Sequence, residues 1–176
     1  MIKLIGVAFL EESKQGAGYP MNVDGNPVKP SAINKLGSVK VGTGHDCFSK
    51  GIQVMLDITA PGYIWQQIQR YHFFDIVSSQ SKMHRLEQFL DDEFLESTYD
   101  EVKWAMEDYK NGLCSYEHVL DCLPSGFELT ARCTTNYLQL KTMYHQRKNH
   151  KLEFWNSYFV KFCESLTEFN QLMLGE

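Results

Sequence analysis

The chain has no uninterrupted apolar run of about 18 residues, so it offers no candidate membrane-spanning helix. It has no surplus of positive charge either. Its 17 Lys and Arg stand against 22 Asp and Glu for a net charge of -5, which argues against extended nucleic acid as a partner but leaves room for a local anion site. The N-terminus lacks a basic stretch, a long apolar core and a small-residue cleavage site, so the expected location is the cytoplasm. The five cysteines (Cys47, Cys114, Cys122, Cys133, Cys163) are odd in number, scattered and never spaced C-x-x-C. That pattern fits reduced thiols and neither a disulfide framework nor a zinc knuckle. His45-Asp46-Cys47 has no further ligand spacing to support it, so no metal is expected, and Cys47 has no base at a useful spacing to make it a nucleophile. The two glycines of Gly42-Thr43-Gly44 are too few to cradle a phosphate and read as a turn. There is no internal repeat and no low-complexity segment. With 43% hydrophobic and 13% aromatic residues, the 176-residue chain is long enough for one well-buried domain, taken as 1–176.

The stretch from Gly44 to His84 organises what is present. Ile52, Val54, Leu56 and Ile58 alternate with Gln53, Asp57 and Thr59, the period-two pattern of a half-buried strand from Ile52 to Ala60. Pro61 suits the first position of a helix, and Ile64, Ile68 and Tyr71 then recur at helical spacing. Asp75, Ser78, Ser79, Gln80 and Ser81 read as a polar loop. Upstream, Met1 to Phe9 reads as a first strand, Gly16 to Pro30 as a long loop with three prolines, and Ser31 to Leu36 as a short helix.

Downstream, Leu86, Phe89, Leu90 and Phe94 follow a helical pattern. Thr98 with Glu101 makes a capping box for a helix that runs to about Lys110 and ends at Asn111-Gly112. Nine acidic residues against one lysine between Glu87 and Asp108 read as a solvated face. Ser115 to Leu123 reads as a short helix stopped by Pro124. Phe127 to Cys133 alternates like a strand, and Thr135 can cap a helix from Asn136 to about His150. On that helix Leu140, Met143, Tyr144 and Arg147 fall at i, i+3, i+4 and i+7, which sets a guanidinium on the apolar face. Arg147 then either meets an anion, or it snorkels or pairs with a carboxylate of the chain. Leu152, Trp155, Phe159, Phe162, Leu166, Phe169 and Met173 form a seam of about three heptads, a core helix or a subunit interface.

In this order the features resemble the flavin-dependent thymidylate synthases. That family has a histidine, a strand, a helix, the signature R-H-R-x-x-S-x-N-E-x-S-x-R-Y, then Leu-Pro, a strand, and a helix of the form N-x-x-x-L with a late arginine and histidine. The counterparts are Gly44-His45, Ile52 to Ala60, the helix from Pro61, the run Tyr71 to His84, Leu123-Pro124, and Asn136, Leu140, Arg147 and His150. Within the signature His72 and Ser81 keep their places. Its arginines become Tyr71, Phe73 and Met83, its Asn-Glu pair becomes Ser78-Ser79, its first serine becomes Ile76 and its tyrosine His84. Arg70 stands in for the first arginine if the register slips by one.

The resemblance implies an α+β fold, an antiparallel sheet with packed helices and long C-terminal helices, in a homotetramer with sites between subunits. It implies a pyrimidine deoxynucleotide of the dUMP kind near Arg147, Ser81 and His150, with Lys148 at the pocket's edge. It implies FAD near His72, His45 and Arg70, and chemistry at C5 of the base. Tyrosine, phenylalanine and methionine cannot replace the charge-assisted bonds of three arginines, so flavin binding is expected to be weak. Three readings stay open: a divergent flavin-dependent enzyme, a nucleotide binder without flavin that acts as another pyrimidine-modifying enzyme or a sensor, and a non-catalytic assembly protein whose Tyr71, Phe73 and Phe74 fill the cofactor groove.

Overall fold

Four strands form one antiparallel sheet in the order β1-β2-β4-β3 in a computed structural model that describes residues 1–21, 28–84, 86 and 100–176. The strands are β1 (Ile2–Ala8), β2 (Gln53–Pro61), β3 (Asp75–Ser79) and β4 (Glu128–Asn136). The alternation seen in β2 has its physical cause in burial. Val54, Leu56, Ile58 and Ala60 lie buried on the helix-covered face, while Gln53 and Met55 on the other face stay exposed. β2 pairs with β4 without a break from Gln53↔Asn136 to Pro61↔Glu128. On the open face this register sets Asp57 beside Arg132, joined by two hydrogen bonds of 2.8 and 2.9 Å, and Thr59 beside Thr130, whose hydroxyls meet at 2.7 Å.

The polar run expected as a loop is instead the edge strand β3. A bulge between Ile76 and Ser78 breaks its alternation, and all five residues are exposed, so no hydrophobic periodicity marks it. Its pairing with β4 supplies what its own side chains do not. Pro61 ends β2 rather than opening the next helix, which starts at the following residue as α3 (Gly62–Ile68).

The other helices are α1 (Leu10–Ala17), α2 (Pro30–Gly37), α4 (Asp100–Lys110), α5 (Tyr116–Asp121), α6 (Tyr137–Arg147) and α7 (Val160–Ser165). Ser115 caps α5 through its hydroxyl, and Gly112 ends the turn after α4 at φ +72°. The cap of α6 is Asn136, whose Oδ1 accepts from the Gln139 N–H at 2.9 Å. Thr135, expected there, is still in the strand, with its hydroxyl donated to the Phe73 carbonyl at 2.7 Å. The capping box at Thr98 and the pattern Phe89, Leu90, Phe94 lie outside the described residues. Leu86 is described and buried, in a small cluster with Val102, Ala105, Met106, Val119 and Phe127.

The C-terminal seam is buried as a core element, but it is not one regular helix. Phe154–Phe159 and Asn170–Leu174 are wound as π-helix, and the chain breaks between them where Leu166 turns extended and Glu168 takes φ +56°. Trp155, Phe159, Cys163, Phe169, Leu172 and Met173 are each within 1% of full burial, packed with α6 beneath the sheet.

Candidate functional site

Arg147 is the last residue of α6, and the apolar stripe that leads to it holds. Leu140 and Met143 are fully buried, Tyr144 nearly so, and Arg147 is half-buried. Its guanidinium has no carboxylate partner among the described residues. Nε donates to the Tyr71 hydroxyl at 2.7 Å, and Nη1 donates to Gln67 Oε1 at 3.1 Å. The guanidinium carbon stands 4.6 Å from the Trp155 ring centre and 5.5 Å from that of Tyr71. Gln67 Oε1 also accepts from Trp155 Nε1 at 2.9 Å, so both neighbours of that amide oxygen are donors and its orientation is fixed by them.

Each of these side chains comes from a different part of the fold. Gln67 lies on α3, Tyr71 follows that helix in a turn closed by its N–H to the Ile68 carbonyl, and Trp155 is wholly buried in the C-terminal π-turn. His150 stands beside them. Its backbone N–H bonds the Arg147 carbonyl, its Nδ1 accepts from the Leu152 N–H at 3.1 Å, and its ring meets Trp155 edge-on. Burial, then the charge of Arg147, hold its pKa below the usual histidine value.

The contacts of the described residues bring Arg147 and His150 together around Trp155 and leave the other expected site residues apart. Ser81 uses its Oγ to accept from the Met83 N–H at 3.2 Å. Nearby, Ser79 and Lys82 face Trp65, Gln66 and Gln69 across a cavity of about 250 Å³ between α3 and β3. His72 and Arg70 are exposed in the turn around Tyr71, and His45 is exposed in another loop. Lys148 is exposed just beyond α6. A second cavity, of about 310 Å³, lies at the end of the sheet among Lys50, Gln53, Phe73, Asp75, Thr134 and Asn136. Phe73 borders it with φ +54° and a ring that is 65% exposed, so of the three aromatics only Phe74 is buried.

A flavin dinucleotide needs several charge-assisted bonds for its diphosphate. His72 and Arg70 share one exposed turn while His45 sits in another loop, Tyr71 is taken up by Arg147, and Phe73 and Met83 offer no donor side chain. This donor set does not fit FAD within one chain. Among the described residues no group of three or more His, Cys, Asp or Glu is placed to hold a metal ion, and no helix is long and apolar enough to cross a membrane.

The sequence reading missed the most deeply buried cation. Lys141, fully buried in α6, donates to the Gly37 and Val39 carbonyls at 2.6 Å and to Asp46 Oδ2 at 2.7 Å. The signal was available, because Lys141 stands four residues after Tyr137 and three before Tyr144, on the same apolar arc. Gln67 and Trp155 carried no such signal as partners of Arg147.

The fold that carries this sheet, with α6 leading from β4 beneath it, is shared with solved flavin-dependent thymidylate synthases. The chain is similar to thymidylate synthase X (ThyX) from Helicobacter pylori in two crystal structures, both with FAD and dUMP. The TM-score is 0.72 in each, over 98% of this chain and 96% and 97% of those chains, at 13% sequence identity. At that identity the likeness is one of fold. No protein-family model matches the sequence, and no curated protein does.

Proposed function

We propose that this protein binds a pyrimidine deoxynucleotide of the dUMP kind, with Arg147 as the anchor for its phosphate and without a tightly held flavin. The observation that carries the reading is the Arg147 guanidinium, held on neutral partners with its charge uncompensated among the described residues. The whole-chain likeness to ThyX structures that contain dUMP supports the choice of ligand. His150 belongs at the rim of the site. Ser81, used locally by Met83, joins it only if the ligand reaches the cavity beside Lys82. Modification of the base at C5 goes with this reading if both a one-carbon donor and a reductant are supplied from outside the chain. The non-catalytic alternative draws on Tyr71, which stands where the family signature has its first arginine and is bonded to Arg147.

Calorimetric titration of dUMP, dTMP and dCMP into the protein and its Arg147→Ala variant tests the proposal. The variant should bind the nucleotides weaker by about 1.5–3 kcal/mol, the usual worth of a hydrogen bond to a charged group. It should keep its fold, since a helix end accepts alanine. Unchanged affinity with a lowered melting temperature would end the anchor reading. The purified protein should also be colourless, and a stoichiometric flavin spectrum would show that the lost arginines are compensated elsewhere.

A further inference from the structure

The guanidinium of Arg147 has five N–H donors, and the protein uses two. The second Nη1 hydrogen and both Nη2 hydrogens have no acceptor among the described residues. The groups that hold the side chain are all uncharged: a phenol, a primary amide and an indole ring. Both lone pairs of Gln67 Oε1 are occupied, one by Arg147 and one by Trp155. The Tyr71 oxygen accepts from Nε, which leaves its own O–H free to rotate toward a further acceptor beside the guanidinium. The Tyr71 hydroxyl has no other hydrogen bond among the described residues.

We propose that Gln67, Tyr71 and Trp155 form a neutral cradle that aims Arg147 outward with its charge intact, and that the Tyr71 hydroxyl donates to the same oxyanion. The proposal rests on the nucleotide reading of Arg147 and specifies the end of the ligand it recognises as a phosphate monoester. Three open N–H donors at the outer end of the guanidinium and one O–H beside them match an oxyanion with several terminal oxygens. The choice of an amide at position 67 matters electrostatically. A carboxylate in its place would sit at hydrogen-bond distance from the guanidinium and compete with the phosphate for its charge. Trp155 and Tyr71 attract the cation through their ring faces, which fixes its plane without neutralising it. Gln67 and Trp155 are thus positioning residues, and Tyr71 touches the ligand.

The test compares dUMP with deoxyuridine, whose only difference is the phosphate, on the full chain and on Gln67→Glu and Tyr71→Phe. The readout is the ratio of the two affinities, which a purely structural role would leave unchanged, with a melting curve for each protein. Gln67→Glu should collapse the ratio by about tenfold or more, because it turns an open charge into an internal ion pair, with the melting temperature held or raised. Tyr71→Phe should lower the ratio by about tenfold for the loss of one hydroxyl bond to a charged ligand. Since Tyr71→Phe keeps the ring and its packing, it stands as a test even if Gln67→Glu fails to fold. If both variants keep the wild-type ratio while Arg147→Ala loses it, the cradle is wrong and the nucleotide reading survives. If the wild-type protein does not prefer dUMP over deoxyuridine, both fall together.

Discussion

Two cations on α6 show how differently one helix treats charge. Lys141 is fully buried and its ammonium meets three acceptors, one of them the carboxylate of Asp46, itself 1% exposed. Arg147, two turns on, is half open and meets only neutral groups. The first is a clasp that ties α6 to the end of α2 and to the loop around Asp46, and the second keeps its charge available. Lys141→Ala should therefore cost about 3–5 kcal/mol, because it strands a buried carboxylate and two carbonyls. Thermal melting should show a fall of roughly 10 °C. Lys141→Met combined with Asp46→Asn should recover part of the loss, since the stranded charge is gone. An unchanged melting temperature for Lys141→Ala would mean that water replaces the ammonium without cost.

His150 and His145 share a direction of titration. Burial first, then Arg147 for one and Lys148 and Lys141 for the other, hold both below the ordinary histidine value. In the unfolded chain they titrate near the ordinary histidine value of about 6.5. Above that value both states are neutral and stability is complete. As pH falls below it, the unfolded chain takes up protons that the folded chain resists, so stability drops. At His150 the cost has a visible cause, since protonating Nδ1 breaks its bond from the Leu152 N–H. Melting temperatures at pH 7.5 and 5.5 should differ in the wild type and differ less in the double variant His145→Gln/His150→Gln. Asp57, held low by Arg132, adds its own loss only under more acid conditions.

At the scale of elements, the sequence was legible wherever one face of a segment was buried along its length. β2, β4, α2 and α6 all form where alternating or helical burial writes itself into residue type, although β4 runs past Cys133 to Asn136 and α6 opens one residue later than expected, at Tyr137. β3 failed for the opposite reason, since an exposed, bulged edge strand takes its order from β4 rather than from its own side chains. The C-terminal seam showed its buried residues and hid its winding, because each short π-turn is sampled by only one step of four, Trp155 to Phe159 and Phe169 to Met173, which does not tell α from π. The site was half legible. Arg147 stood out from spacing, whereas Gln67 and Tyr71 lie 80 and 76 residues away from it in the chain, and only the fold joins them. Gly37 makes a comparable long-range contact. It closes α2 against the Leu172 carbonyl so tightly that an added Cβ would overlap that backbone atom and crowd the Met173 side chain. Gly37→Ala should destabilise by about 1–3 kcal/mol, as overpacking does. Gly16→Ala, on open space in α1, should stabilise slightly through helix propensity. Urea melts of the two variants should move in opposite directions, and a stabilised Gly37→Ala would show that the α2 contact with the C-terminal segment is loose.

For the whole molecule, the sheet sets the question of assembly. Its helix-covered face holds the core, while the opposite face leaves Met55 39% exposed beside the Asp57–Arg132 pair. Both sheet edges show apolar side chains as well, Leu4 and Ile5 on β1 and Ile76 and Val77 on β3. An open sheet face and two edges that show apolar side chains, each interrupted only by a bulge, are surfaces that a lone protein usually blunts further with charge or covers with another element. We therefore expect a homo-oligomer in solution with part of this surface buried between copies, and the resemblance to the flavin-dependent thymidylate synthases makes a homotetramer the size to test. Light scattering behind a sizing column should give a mass near four times the 20.4 kDa of one chain. Met55→Glu on the open face and Val77→Lys on the β3 edge separate two of these three candidate contacts. The variant that lowers the mass identifies the surface in use, and neither substitution touches the buried core, so melting curves should stay close to that of the dissociated chain. A species of 20.4 kDa that holds its mass across a hundredfold rise in concentration, roughly the span in which a micromolar contact saturates, would show that the exposed face is simply solvated.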